Sequence, residues 1–289
     1  MKTNLLFDYG GTLDTAARHW AHVLWEGYRH VGIPVNEEQF REAYVFGERA
    51  LAKAPIISPE DDMRTLLVKK LERETHFLVE EGWWQPSEEE RLAKGEAVAD
   101  YCDAYARRHV EASARVLGAL RDKGCRLVMV SNFYGNLPTV LRAYGIDHLF
   151  ETIVESAVVG VRKPDAAIFR LGVDALGCTA SEAVIIGDAY GKDILPGREA
   201  GCRTVWFKGE EWKHEQRDET IPDAVITSLE QLPEVLKTLY PEAKAVEGID
   251  VIYTVNFTAT MPNEVNYTIQ YKVTGDAAFT YIENSMQPL

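Results

Sequence analysis

The sequence predicts an α/β fold: a Rossmann-like parallel sheet core, a helical cap inserted after the first strand, and a C-terminal antiparallel β extension. Three observations predict it. Short apolar or β-branched runs recur with a helical stretch between them. More than 100 residues of helical pattern separate the first run from the second, and past Pro241 the hydrophobic period changes to two.

The strand runs are Asn4-Phe7, Cys125-Val130, Glu151-Val154, Ala183-Ile186, Cys202-Phe207 and Ala224-Thr227. Runs of this length, apolar throughout, suit strands covered on both faces. Between the first two, Thr15 to Val31 carries Trp20, Val23, Leu24, Tyr28 and Val31 near a 3.6-residue period, and Gly32-Ile33-Pro34 ends it. Asn36 can cap a second helix from Glu37, and Pro59-Glu60-Asp61-Asp62 starts a third that runs to about Val79. A break at Gly82-Trp83-Trp84-Gln85-Pro86 precedes a helix from about Glu96 to Lys123. The division that follows is a core of residues 1–15 and 93–240, an insert of 16–92, and an extension of 241–289. In that extension Val251-Thr260, Asn266-Val273 and Ala278-Ile282 alternate, with turns at Pro262-Asn263 and Thr274-Gly275-Asp276. The expected product is a meander of three strands that docks on the core or pairs across a homodimer.

Composition removes several classes. Lys plus Arg is 31 against 45 Asp plus Glu, a net charge of -14, which repels nucleic acid and anionic membranes on average. Cys102, Cys125, Cys178 and Cys202 lack CxxC spacing, so neither zinc nor a disulfide framework is expected, and reduced thiols imply the cytoplasm. Met1-Lys2 leads directly into a strand, and no 18-residue apolar run exists. No secretion signal or membrane span is expected.

The chemistry concentrates where strands end. Leu5-Leu6-Phe7-Asp8-Tyr9-Gly10-Gly11-Thr12-Leu13-Asp14 places a carboxylate after a buried strand, followed by glycines that admit a ligand close to the backbone. Such a carboxylate can hold a cation or attack phosphorus; an Asp-Gly turn feeding a helix cap at Thr15 is the plainer alternative. Ile185-Ile186-Gly187-Asp188 puts a second acid at a strand end, with Asp193 in the next loop. Three acids converging without His or Cys point to Mg²⁺, although loop acids in an acidic chain can also be merely solvated. Ser131 and Asn132 follow a strand, where a hydroxyl and the first helical amides can receive phosphate oxygens. Lys163, before Pro164, offers a point charge, as does Arg162 beside it.

These four segments, Asp8 to Asp14, Ser131-Asn132, Lys163-Pro164 and Gly187-Asp188 with Asp193, resemble in order and spacing the four motifs of the haloacid dehalogenase-like superfamily. The resemblance covers about residues 1 to 240, and the insert is similar to that family's helical cap of the first type. It implies a Mg²⁺-dependent phosphohydrolase acting on a small phosphorylated molecule. In that pattern Asp8 resembles the nucleophile that becomes an aspartyl-phosphate. Asp8, the Gly10 carbonyl, Asp188 and Asp193 would hold the metal, Thr12, Ser131 and Asn132 would position phosphate, and Lys163 would steady both Asp8 and the phosphate. The sequence departs from the pattern at Gly10, where family phosphatases carry an Asp that serves as general acid and base. His19 and His22 are candidate substitutes, and Lys53 is the only lysine of the insert before Lys69 that could correspond to a Schiff-base residue. A phospho-ligand-binding protein of the same fold is the alternative function.

Overall fold

The computed structural model describes residues 3–53, 56–212, 215–240, 252–261 and 264–272. Two compact units divide at Tyr240 and Pro241. The first contains β1 (Asn4–Phe7), α1 (Trp20–Val31), α2 (Glu37–Lys53), α3 (Met63–Glu80), α4 (Glu88–Asp122), β2 (Arg126–Ser131), α5 (Leu137–Ala143), β3 (Thr152–Glu155) and α6 (Ser156–Val159). It continues through α7 (Ala167–Leu176), β4 (Ala183–Gly187), α8 (Leu195–Glu199), β5 (Arg203–Phe207), β6 (Ala224–Ile226) and α9 (Leu232–Leu239).

The six strands pair in the order β3-β2-β1-β4-β5-β6. Every pairing in this sheet is parallel. The chain order reverses at β1, whose neighbours are β2 and β4, and the crevice beyond the strand ends at such a reversal is where ligands bind in open α/β sheets.

Alternation along each strand explains why the runs read as continuously apolar. Leu5, Phe7, Leu127, Met129, Val184 and Ile186 join one buried cluster, which continues into the insert through Leu24, Tyr28, Phe40 and Leu71. Leu6, Val128, Val130 and Ile185 face the other way and pack with Ile168, Phe169 and Val173 of α7. Each such side chain contributes about 1.5–3 kcal/mol by leaving water. Leu6→Ala, which opens a hole beneath α7, costs about 2–5 kcal/mol.

Local chemistry moves some boundaries. The first helix starts at Trp20 rather than Thr15, because His19 is its cap: Nδ1 accepts from the Ala21 amide at 3.2 Å. Thr15 instead donates its hydroxyl to the Gly11 and Arg18 carbonyls. Between them Ala16 and Ala17 stand at φ 54° and 62°, a left-handed backbone that costs a β-carbon residue about 1–2 kcal/mol. Paired hydrogen bonds hold this turn against the segment after β5, from the Glu210 amide to the Ala17 carbonyl and from the His19 amide to the Glu210 carbonyl.

The expected division between residues 92 and 93 falls within α4, a single 35-residue helix. Ser87 caps it by accepting from the Glu90 amide, and Glu88, Glu89 and Glu90 occupy its first turn, where the helix dipole favours negative charge. Its first half packs on α1 and α3. Farther along, Ser113 donates to the Leu13 carbonyl at 2.8 Å, so one helix serves both the insert and the sheet.

The second unit contains β7 (Ile252–Met261) and β8 (Glu264–Lys272), paired antiparallel with an irregularity between Ala259 and Met261. The third strand expected at Ala278-Ile282, and the turns at Pro262-Asn263 and Thr274-Gly275-Asp276, lie outside the described residues.

Candidate active site

The ends of β1, β2 and β4 and the loop before α7 bring the candidate residues together in one pocket of about 180 Å³. Asp8, Asp188 and Asp193 each turn a carboxylate oxygen into it, and these three oxygens lie within 4.8 Å of one another. Lys163 reaches the same point from the side: its Nζ is 2.7 Å from Asp8 Oδ1 and 2.6 Å from Asp193 Oδ1. Ser131 donates to Asp8 Oδ1 at 2.9 Å.

One ammonium faces three carboxylates in a buried site. Burial, and then the charges of Asp8 and Asp193, push the Asp188 carboxyl well above its usual range. Burial also pushes Asp193 up to about 6, with Lys163 pulling the other way. For Lys163 burial opposes the charge, but Asp193 and Asp8 more than offset it and raise its pKa. A hard cation relieves this imbalance: three oxygen donors without imidazole or thiolate are the set that Mg²⁺ or Ca²⁺ accepts.

Two glycines make room for the cluster. A β-carbon on Gly11, at φ 96°, would sit 2.5 Å from Asp188 Oδ2, and one on Gly187 would sit 2.4 Å from Asp193 Oδ2. At Gly10, by contrast, nothing lies within 4 Å of where a β-carbon would stand. That position lines the pocket without a side chain.

The Thr12 and Asn132 side chains bond protein groups of the site. Thr12 is fully buried; its hydroxyl donates to Asp188 Oδ1 at 2.8 Å and accepts from the Asp188 amide at 3.1 Å. It therefore orients an acid of the cluster. Asn132 closes a two-bond bracket on the backbone of Lys163, accepting from its amide at 2.9 Å and donating to its carbonyl at 3.0 Å. Among the amides beyond Ser131, Phe133 N donates to Ser156 Oγ, while Gly135 N and Leu137 N donate to the Glu155 carboxylate.

Both candidate histidines are engaged by backbone groups. Burial, followed by the nearby Lys192 charge, lowers His19 to about 4, and its Nδ1 is occupied as the helix cap. His22 bonds the Glu211 carbonyl at 3.0 Å and does not line the pocket. Lys53 is likewise absent from the pocket lining.

A polar wall that the sequence reading did not anticipate also lines the pocket. Glu48 of α2 and Lys70 of α3 form an ion pair there, Tyr134 donates to Glu48 Oε2 at 3.1 Å, and Lys70 Nζ lies 4.3 Å from the Tyr44 ring centre. Lys70 sits among Leu66, Leu67 and Leu71 on the buried stripe of α3, so a lysine breaking an apolar face was the available signal. Asp14, pushed up to about 7 by burial, accepts from the Gly11 amide and from Trp20 Nε1, which fixes the indole that walls the pocket.

Comparison with known proteins decides the family. Residues 3–201 match the haloacid dehalogenase-like hydrolases. The chain belongs to that family. Within it, a glyceraldehyde 3-phosphate phosphatase of Pyrococcus abyssi is 36% identical over 103 residues, which is 35% of this chain and 43% of the relative. A phosphoserine phosphatase of Thermus thermophilus is 35% identical over 31% of this chain and 36% of its own length. The chain thus spans less than half of either curated phosphatase. Among solved structures, the HAD-hydrolase YfnB of Bacillus subtilis, bound to magnesium, superposes with a TM-score of 0.51 at 20% identity, covering 81% of this chain and 98% of YfnB. A dehalogenase superposes with a TM-score of 0.54 at 16% identity, over 81% of this chain and 96% of its own. These two likenesses concern the fold. No described helix is long and apolar enough to cross a membrane.

Proposed function

We propose that this family member is a Mg²⁺-dependent phosphohydrolase that acts on a small phosphorylated molecule through Asp8. The observation that carries the proposal is the convergence of Asp8, Asp188 and Asp193 around the Lys163 ammonium at the end of the parallel strands. Asp8, Asp188, Asp193 and the Gly10 carbonyl would hold the cation, which supplies charge neutralisation for an incoming phosphoryl group.

The chain's own groups do the rest. Asp8 attacks phosphorus to form an aspartyl-phosphate, and the leaving oxygen departs with the electron pair of the broken bond. Lys163 offsets charge on Asp8 before attack and on the phosphoryl oxygens during it. Ser131 exchanges its bond to Asp8 for one to a phosphate oxygen. Thr12 and Asn132 act as positioning residues, through Asp188 and Lys163 respectively. The Lys70 ammonium, with its pKa raised by Glu48 and Glu74 against the effect of burial, is unsuited to Schiff-base chemistry. Retention of all three acids also favours phosphate over halide as the leaving chemistry.

The proposal includes action in the cytoplasm, supported by four unpaired cysteines, and no nucleic-acid partner, supported by the net charge of -14. It also includes homodimer pairing through the C-terminal strands, because a two-stranded hairpin alone is marginal. The bare pocket position at Gly10 favours a second reading, a phospho-ligand-binding protein with slow turnover.

Phosphate release from a panel of phosphorylated metabolites, with and without Mg²⁺ and beside Asp8→Asn, separates the two. Release that needs both Mg²⁺ and Asp8 supports the enzyme; Mg²⁺-dependent binding without release supports the binding protein.

A further inference from the structure

We propose that the substrate is a phosphoanhydride, whose leaving group is itself a phosphate received by Arg49, Arg162 and Lys192. This deepens the proposed function and rests on Asp8 as nucleophile. Two independent observations carry it.

The first is a groove of about 780 Å³ that shares Glu48, Asn132, Phe133, Tyr134 and Lys192 with the catalytic pocket. Its lining includes Arg49, Lys53, Arg162 and Lys192, against a single acid, Glu48, which is already engaged by Lys70 and Tyr134. None of the four cations has an ion pair among the described residues. In a chain of net charge -14, four cations gathered against one engaged acid make an unneutralised field beside the reaction site. Three of the cations also neighbour pocket residues along the chain. Arg49 follows Glu48, Arg162 precedes Lys163 and Lys192 precedes Asp193, so each extends from the chain next to a residue of the pocket.

The second is the absence of a side chain at Gly10, with His19 Nδ1 occupied as a helix cap and His22 outside the pocket lining. An alkoxide leaving group needs a donated proton, and its loss costs about 10²–10⁴-fold in rate. A phosphate leaving group does not, because its conjugate acid is strong. What it needs is positive charge where its own negative charge accumulates, and the groove supplies that.

The step balances with water as the only co-reactant. An Asp8 oxygen bonds the terminal phosphorus, the bridging P–O bond breaks, and its electron pair leaves on the inner phosphate toward Lys192 and the two arginines. Water then attacks the aspartyl-phosphate. The Asp8–P bond breaks, its pair returns to the carboxylate, and the proton shed by water passes to the departing orthophosphate.

The test separates the groove from the chemistry. Binding of imidodiphosphate, a diphosphate that resists hydrolysis, and of orthophosphate is measured by calorimetry in Mg²⁺ for the wild type and for the double variant Arg49→Ala/Arg162→Ala. Both arginines are exposed, so the fold tolerates the change. The expected result is imidodiphosphate binding tighter than orthophosphate by at least ~10-fold, with the double variant removing most of that difference and moving orthophosphate less than ~2-fold. No preference, or equal losses for both ligands, overturns the groove. In parallel, kcat/KM for inorganic pyrophosphate is compared with that for glycerol 3-phosphate in the wild type and in Gly10→Asp. The wild type is expected to favour pyrophosphate by more than ~10²-fold, and the added carboxyl to narrow the gap by speeding the ester. Equal wild-type rates overturn the anhydride assignment. Absence of any Asp8-dependent release, with the binding preference intact, sinks the hydrolase reading and leaves the groove as a diphosphate site.

Discussion

Lys163 Nζ stands 2.7 Å from Asp8 Oδ1, with both side chains buried at the switch in strand order. Its removal leaves Asp8 and Asp193 facing each other without an organic cation. Lys163→Met is expected to lose about 3–5 kcal/mol of stability in EDTA, the usual cost of stripping one partner from a buried pair. Saturating Mg²⁺ should restore part of it, because a ligand of the native state stabilises that state. Urea unfolding with and without Mg²⁺ measures both effects, and equal stability of variant and wild type in EDTA contradicts the arrangement.

Gly11 is held to a single residue type by two constraints, its φ of 96° and the Asp188 carboxylate 2.5 Å from any β-carbon. Gly11→Ala must push Asp188 away from Thr12. A stability loss of about 1–3 kcal/mol is expected, together with a weaker Mg²⁺ affinity, both readable by thermal unfolding across a Mg²⁺ titration. Unchanged affinity would show that Asp188 is not a ligand.

Burial raises Glu74 from 4.5 to about 7; Lys70 opposes that rise, and Tyr28 donates to Oε2 at 2.9 Å. Between those two values the folded chain holds a proton that the unfolded chain has released. Stability from this group is therefore complete below pH 4.5, declines as pH rises, and is flat above about 7. The difference is on the order of 3 kcal/mol at most. Glu74→Gln cannot ionise, so its urea midpoint should exceed that of the wild type at pH 8 and converge with it near pH 5, a pattern that a purely structural role would not produce.

His19 stays neutral throughout the working range, with its pKa lowered to about 4. Asparagine can replace it as a helix cap within about 0.5 kcal/mol. The kcat of His19→Asn should keep the shape of its pH profile even where KM rises from lost pocket contacts. Disappearance of one limb of the profile would make the imidazole a proton carrier after all.

Much of this site was legible because strand ends carry it. Asp8, Ser131 and Asp188 stand where an apolar run stops, and Lys163 and Asp193 lie in the segments that follow β3 and β4. Pattern placed the six core strands within about two residues of the observed bounds. Direction was not legible. Whether the Thr12 hydroxyl faces a ligand or Asp188, and whether Asn132 meets phosphate or the Lys163 backbone, depends on χ angles that spacing does not encode. The Glu48–Lys70 wall was hidden for another reason: the partners belong to separate helices, 22 positions apart, and meet only through the packing of α2 on α3.

The insert joins the sheet by two unlike tethers. On the exit side α4 runs uninterrupted from the insert to the sheet, and a kink in it would cost the backbone bonds of a turn. On the entry side the connection is a few residues at Ala16 and Ala17, already displaced from the comfortable backbone basin. Glu48 and Arg49 are neighbours on α2, so a shift of that helix moves the wall of the pocket and one cation of the groove together.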